Sequence, residues 1–240
     1  MELGRVEILY EVATMSTHLA IPIIGHLQKL FCIFGYLKAN PKRKLAFDPD
    51  HPMVDERRFK RYDWHDFYRG VREAIPGDIP TLRGNYASTH CFVDADLAGN
   101  SVHRRIQTGI LIFVNRAPII WYSKRQNTVK VSTFGSDIAA MKNAIELIKA
   151  LRYKLRMFGV PVDGAKNILC DNEEVNRNCS DPTSTLKKKH HSIAYHRNRE
   201  AVATGTVRIT KEGMATILSD LFTKSLGKRE REKLLDACTY

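Results

Sequence analysis

Four aspartates stand where the texture of the chain changes: Asp94, Asp137, Asp171 and Asp220. Asp94 closes the apolar run Cys91-Phe92-Val93, and Asp171 closes Ile168-Leu169-Cys170. Asp137 follows Ser132-Thr133-Phe134-Gly135-Ser136, and Asp220 sits within Ile217-Leu218-Ser219-Asp220-Leu221. A carboxylate at the end of a rigid element, open to solvent, suits a hard cation with oxygen ligands. One such aspartate reads as a turn former. Four at element ends read as a set that holds Mg²⁺, with Mn²⁺ as the substitute. Two ions about 4 Å apart activate a water and stabilise the leaving oxygen of a phosphodiester. Without a cation, carboxylates gathered this closely repel one another and hold on to their protons.

For these acids to meet, the chain between them must build a sheet with helices across it. His90–Val93, Gly109–Val114 and Ile119–Ser123 read as three strands, the last two joined by a turn over Asn115–Pro118, which gives an antiparallel meander. Met141, Ala144, Ile145, Ile148, Leu151 and Leu155 form one helical stripe. Ser132 or Thr133 caps that helix, and Gly159 and Pro161 stop it. A fourth strand, Ile168–Cys170, reached through the helix, runs parallel to its partner. Helical segments over 173–178 and 192–203, a strand over 206–210 and a last helix over 218–226 complete an α/β unit. The expected fold is a mixed five-stranded sheet flanked by helices, spanning 89–226, with a charged tail over 227–240. Ahead of it, 1–47 reads as helical, with Leu27, Leu30, Phe31, Phe34 and Leu37 on one face. Residues 48–88 read as a proline- and charge-rich connector anchored by Tyr62, Trp64, Phe67 and Tyr68.

The 240 residues carry a formal charge of +12 and a pI of about 9.5, which favours a polyanionic partner, most simply nucleic acid. Arg104, Arg105, Lys187, Lys188, Lys189 and His190 are the candidates for holding a phosphate backbone. The bland alternative is a solvated basic surface. Five cysteines form no Cys-x-x-Cys pair, and His190, His191 and His196 have no partner set for zinc. Buried thiols in odd number, with neither a secretory signal nor a membrane span, point to an intracellular, reducing compartment; cytoplasm and nucleus are not separated by sequence. Asp96 reads as a turn acid.

Several segments together carry a family resemblance: Phe92-Val93-Asp94-Ala95-Asp96, Thr108-Gly109, Ile119 to Gln126, Ser132 to Ser136, Cys170-Asp171-Asn172, Lys189-His190, Tyr195-His196, Arg199-Glu200 and Leu218 to Lys224. From about Thr89 onward the chain resembles the ribonuclease H domain at the end of copia-type retrotransposon polyproteins. Glu2–Arg5 through Gly35–Lys38 resembles the end of the reverse transcriptase domain that precedes it. The resemblance implies a three-layer ribonuclease H-like fold and Mg²⁺-dependent cleavage of RNA in an RNA–DNA hybrid. It also implies partnership with the missing reverse transcriptase portion, and no polymerase activity, because the palm is absent. The family's acids carry over onto Asp94, Asp171 and Asp220. At the helix position the family usually has Glu, where this chain has Asp137, and it commonly has Asn where Ile217 stands. These departures predict weak turnover. A catalytically decayed, nucleic-acid-binding remnant with the same fold is the alternative. A recombinase-type strand-transfer enzyme is disfavoured by Asp220 and its Leu-Ser-Asp-Leu-Phe-Thr-Lys context.

Overall fold

The computed structural model describes residues 4–96, 106–126, 132–162, 164–186 and 189–239. Strands β1 (Thr89–Asp96), β2 (Gln107–Val114) and β3 (Ala117–Arg125) form the expected meander, each antiparallel to the next. Asn115 makes the β2–β3 turn with φ 56°, a conformation that asparagine tolerates better than most residues. Helix α3 (Thr133–Met157) crosses the sheet and returns the chain to β4 (Lys166–Cys170), parallel to β1. Helices α4 (Glu173–Ser180) and α5 (Ser192–Ala203) lead to β5 (Val207–Lys211), parallel to β4. The strand order is β3-β2-β1-β4-β5. Because parallel neighbours need a crossover, the helices cover the sheet, and its central strands β1, β2 and β4 are buried along most of their length.

Alternation along β2 divides the core in two. Ile110 and Ile112 join Cys91, Val93, Ile168 and the stripe Met141, Ala144, Ile145 and Ile148 of α3 on one face. Leu111 and Phe113 face the other way, against Leu218, Leu221 and Phe222 of a 3₁₀ turn (Leu218–Phe222). Helix α1 (Leu9–Ser16) lies on this second face, where Val6 is buried. The result is the three-layer, ribonuclease H-like arrangement.

Three segments differ from their sequence reading. The helix expected over 218–226 is only the 3₁₀ turn, which ends at Phe222, and the next residue, Thr223, turns its hydroxyl to Asp94. Residues 227–240, expected as a charged tail, contain helix α6 (Lys228–Leu235), and Leu234, Leu235 and Cys238 are buried in the second core. Leu45, within the stretch read as helical, instead makes an isolated antiparallel bridge to Thr239. Helix α2 (Ile24–Ala39) keeps its apolar residues outside: Ile24, Leu27, Phe31 and Phe34 are exposed, whereas Ile33 is buried. The connector lies along the domain. Phe59 is buried beneath the Arg208 guanidinium, Trp64 lies 4.9 Å from that of Arg199, and Glu73 bridges Arg152 and Arg156 of α3. Among the described residues no helix is long and apolar enough to cross a membrane.

Candidate active site

The acids are delivered to one edge of the sheet by neighbouring elements. Asp94 lies near the end of β1, and Asp171 follows the last residue of β4. The parallel register pairs Phe92 with Leu169, so continuing it by two residues sets Asp94 level with Asp171. Asp137 comes from the first turns of α3, which the Ser132 hydroxyl caps by accepting from the Gly135 amide at 3.3 Å. Asp220 comes from the 3₁₀ turn.

Glycine decides whether that turn can reach Asp94. Gly109 pairs with Asp94 across β1–β2. A Cβ on Gly109 would stand 2.6 Å from the Ser219 carbonyl oxygen and 2.7 Å from the Thr223 methyl. Only a bare backbone lets the turn settle onto the strand. Ser123 of β3 holds it there, donating to the Phe222 carbonyl at 2.6 Å, and Gln107 donates to Ser123 in turn. Gln126 ties β2 to α3 by donating to Thr108 Oγ1 and to the Ser136 carbonyl.

Three side chains that sequence reasoning left without a role contact the acids directly. Asn172 donates to Asp137 Oδ2 at 2.7 Å, while its own Oδ1 caps α4 by accepting from the Glu174 and Val175 amides. Thr223 donates to Asp94 Oδ2 at 2.6 Å. The Lys224 ammonium lies 2.8 Å from Asp220 Oδ1 and 3.4 Å from Asp94 Oδ2. All three fall inside the motif segments quoted above, and Lys224 is four residues beyond Asp220, within reach of it on any helical turn.

Electrostatics couples the acids. Burial, with the charges of Asp94 and Asp171, pushes Asp137 up to about 8 despite its bond from Asn172. Burial and Asp94 raise Asp171 as well. Asp220 is pushed up to about 7 by burial and Asp94, against the pull of Lys224. Burial alone would lower Lys224, but Asp94, Asp220 and Asp171 carry it above the ordinary lysine range. Oδ1 of Asp137 is buried without a hydrogen-bond partner. The donors are all oxygen, the kind a hard cation takes, and their mutual repulsion is what such a cation relieves. In kind, therefore, the residues fit Mg²⁺. They are not closed around an ion position: among the described residues no three His, Cys, Asp or Glu side chains stand close enough together to hold a metal. The edge is instead drawn in around Lys224.

The other expected site residues lie elsewhere. Arg104, Arg105, Lys187 and Lys188 fall outside the described residues. Lys189 is exposed at the start of a 3₁₀ turn (Lys189–His191) that also contains His190. His191 is buried, edge-on to Phe134 and close over Gly135. Asp96 is the last residue of β1, two beyond Asp94. Ile217 is fully buried at the head of the Asp220 turn and offers no side-chain cap.

Similarity to known proteins spans most of the chain. It is 25% identical over 224 residues to the retrovirus-related Pol polyprotein from transposon RE1 of Arabidopsis thaliana. It is 27% identical over 224 residues to that from transposon RE2 of the same plant. Each alignment covers 93% of this chain but only 13% of the relative, so the chain spans a small part of the polyproteins it resembles. Among solved structures it is similar to RNase H1 from the archaeon Halobacterium salinarum, with a TM-score of 0.41 and 15% identity, covering 62% of this chain and 98% of the other. No family model matches the chain.

Proposed function

We propose that this chain is a Mg²⁺-dependent endonuclease that cuts the RNA strand of an RNA–DNA hybrid, with weak turnover as written. The observation that carries the reading is the meeting of Asp94, Asp137, Asp171 and Asp220 at one sheet edge, where burial and mutual repulsion raise three of them. Such an arrangement is costly unless a cation compensates it. When bound, divalent ions supply the positive charge that lowers the pKa of an attacking water and stabilises the leaving oxygen. Asp94 and Asp171 would hold them, with Asp137 and Asp220 closing the set. Thr223 fixes the Asp94 carboxylate, and Asn172 fixes Asp137, so both are aimed before substrate arrives. The basic residues Arg104, Arg105, Lys187, Lys188, Lys189 and His190 would meet the phosphate backbone.

A second reading has its own support. The carboxylates are not closed around an ion position, and a lysine lies among them. That favours a nucleic-acid-binding remnant of a retroelement in which catalysis has decayed. A labelled RNA–DNA hybrid, incubated with protein and Mg²⁺ beside duplex DNA of the same sequence, separates the two. The endonuclease reading expects RNA-strand products from the hybrid and none from the duplex. Tight hybrid binding with no product under any Mg²⁺ or Mn²⁺ concentration contradicts it and leaves the remnant.

A further inference from the structure

We infer that Lys224 is the built-in counter-ion of the carboxylate edge: its ammonium holds Asp94 and Asp220 together while no divalent cation is bound, and it must swing out before one enters. The inference rests on the endonuclease reading of these acids. The contacts are specific. The Lys224 Nζ lies 2.8 Å from Asp220 Oδ1 and 3.4 Å from Asp94 Oδ2, so one ammonium bridges acids from the 3₁₀ turn and from β1. Its backbone is anchored as well, the Lys224 amide donating to the Asp220 carbonyl at 3.1 Å.

A divalent ion cannot share this place. An ion bound by Asp94 and Asp220 would stand within a few ångströms of Nζ, where the two positive charges repel strongly in a partly desolvated site. The same oxygen, Asp94 Oδ2, already accepts from Thr223 at 2.6 Å, so Lys224 is the donor that can be given up. The lysine is free to go: its side chain is 36% exposed, against 5% for Asp94 and 8% for Asp220, and its four-carbon stem is flexible. It therefore acts as a latch that keeps the metal-free edge from flying apart and weakens the first metal-binding step by the strength of the contacts it must release.

Calorimetric titration of the full chain with Mg²⁺ alone, at pH 8 after chelation, tests this. Lys224→Gln is expected to bind Mg²⁺ about 10-fold or more tightly than the wild-type chain. Without metal it should melt at a lower temperature, and Mg²⁺ should raise its melting point by more than it raises that of the wild type. Equal Mg²⁺ affinity in the two chains, with Asp94→Asn abolishing binding in both, overturns the inference and leaves the endonuclease reading intact. No Mg²⁺ binding by folded Lys224→Gln overturns both. If Lys224→Gln does not fold, the wild-type chain gives the answer through the ¹⁵N signal of the Lys224 ammonium, identified by its loss in Lys224→Arg. That signal should change to the fast-exchanging form on adding Mg²⁺, and an ammonium signal unmoved by saturating Mg²⁺ overturns the latch.

Discussion

Asp137 has the carboxylate most at odds with its surroundings. Asn172 holds one of its oxygens, the other is buried without a partner, and the group is pushed up to about 8. One methylene more would carry the carboxylate about 1.5 Å further from the helix. Because misplacement by about 1 Å costs on the order of 10²-fold in rate, Asp137→Glu is expected to raise Mg²⁺-dependent hybrid cleavage by roughly 10- to 100-fold. An unchanged rate in matched, folded preparations would mean that this acid does not limit turnover. The four acids were legible in the sequence because each ends an apolar run or opens a helix. Their handlers were not. Asn172 and Thr223 do their work through contacts 35 and 129 residues away in sequence, which no local spacing reveals. Lys224 had a visible partner in Asp220, but its reach to Asp94 depends on the turn being docked on β2.

That docking is a property of the strand–turn pair, and Gly109 controls it. Gly109→Ala forces a shift, since its Cβ would meet backbone at 2.6 Å. Overpacking of this kind costs about 1–3 kcal/mol, and here it would also move Asp220 and Lys224 away from Asp94. Chemical denaturation should show the loss, and Mg²⁺ affinity should change with it; a neutral substitution on both counts would mean the turn tolerates displacement. The connector makes a second such junction. Burial alone would raise the Glu73 carboxyl, but Arg152 and Arg156 pull it down to about 2. Because the folded value is depressed, this contribution is fully present above the unfolded value of about 4.5 and is lost as pH falls toward 2, amounting to about 3 kcal/mol at most. Glu73→Gln should lower the melting temperature at pH 7 by about 5 °C and flatten the acid limb between pH 5 and pH 2. If that limb is unchanged, the Glu73 pairs contribute nothing to stability. Strands and the long helix were readable from period and caps. The 3₁₀ turn was not, because Leu218, Leu221 and Phe222 have the same spacing in either helix type, and α6 was hidden because only Leu234 and Leu235 interrupt its charges.

Across the molecule, the +12 charge predicts binding to an RNA–DNA hybrid that weakens steeply with salt. Replacing Lys187, Lys188 and Lys189 together by Ala should reduce the slope of log K against log salt by about 2–3 if all three meet phosphates; an unaltered slope would return that run to the solvated surface. The N-terminal segment divides unevenly, with α1 laid against the second core and α2 presenting Ile24, Leu27, Phe31 and Phe34 to solvent. Amide exchange should therefore be faster through α2 than through α3, and equal protection would mean that α2 has found a partner in solution. The most direct measurement of the whole account is the rate of RNA-strand cleavage in a labelled RNA–DNA hybrid as Mg²⁺ is titrated, in the wild-type chain and in Asp94→Asn. The account predicts slow, Mg²⁺-dependent cleavage that Asp94→Asn abolishes while hybrid binding persists. Cleavage that survives Asp94→Asn, or that proceeds equally in chelator, would contradict it.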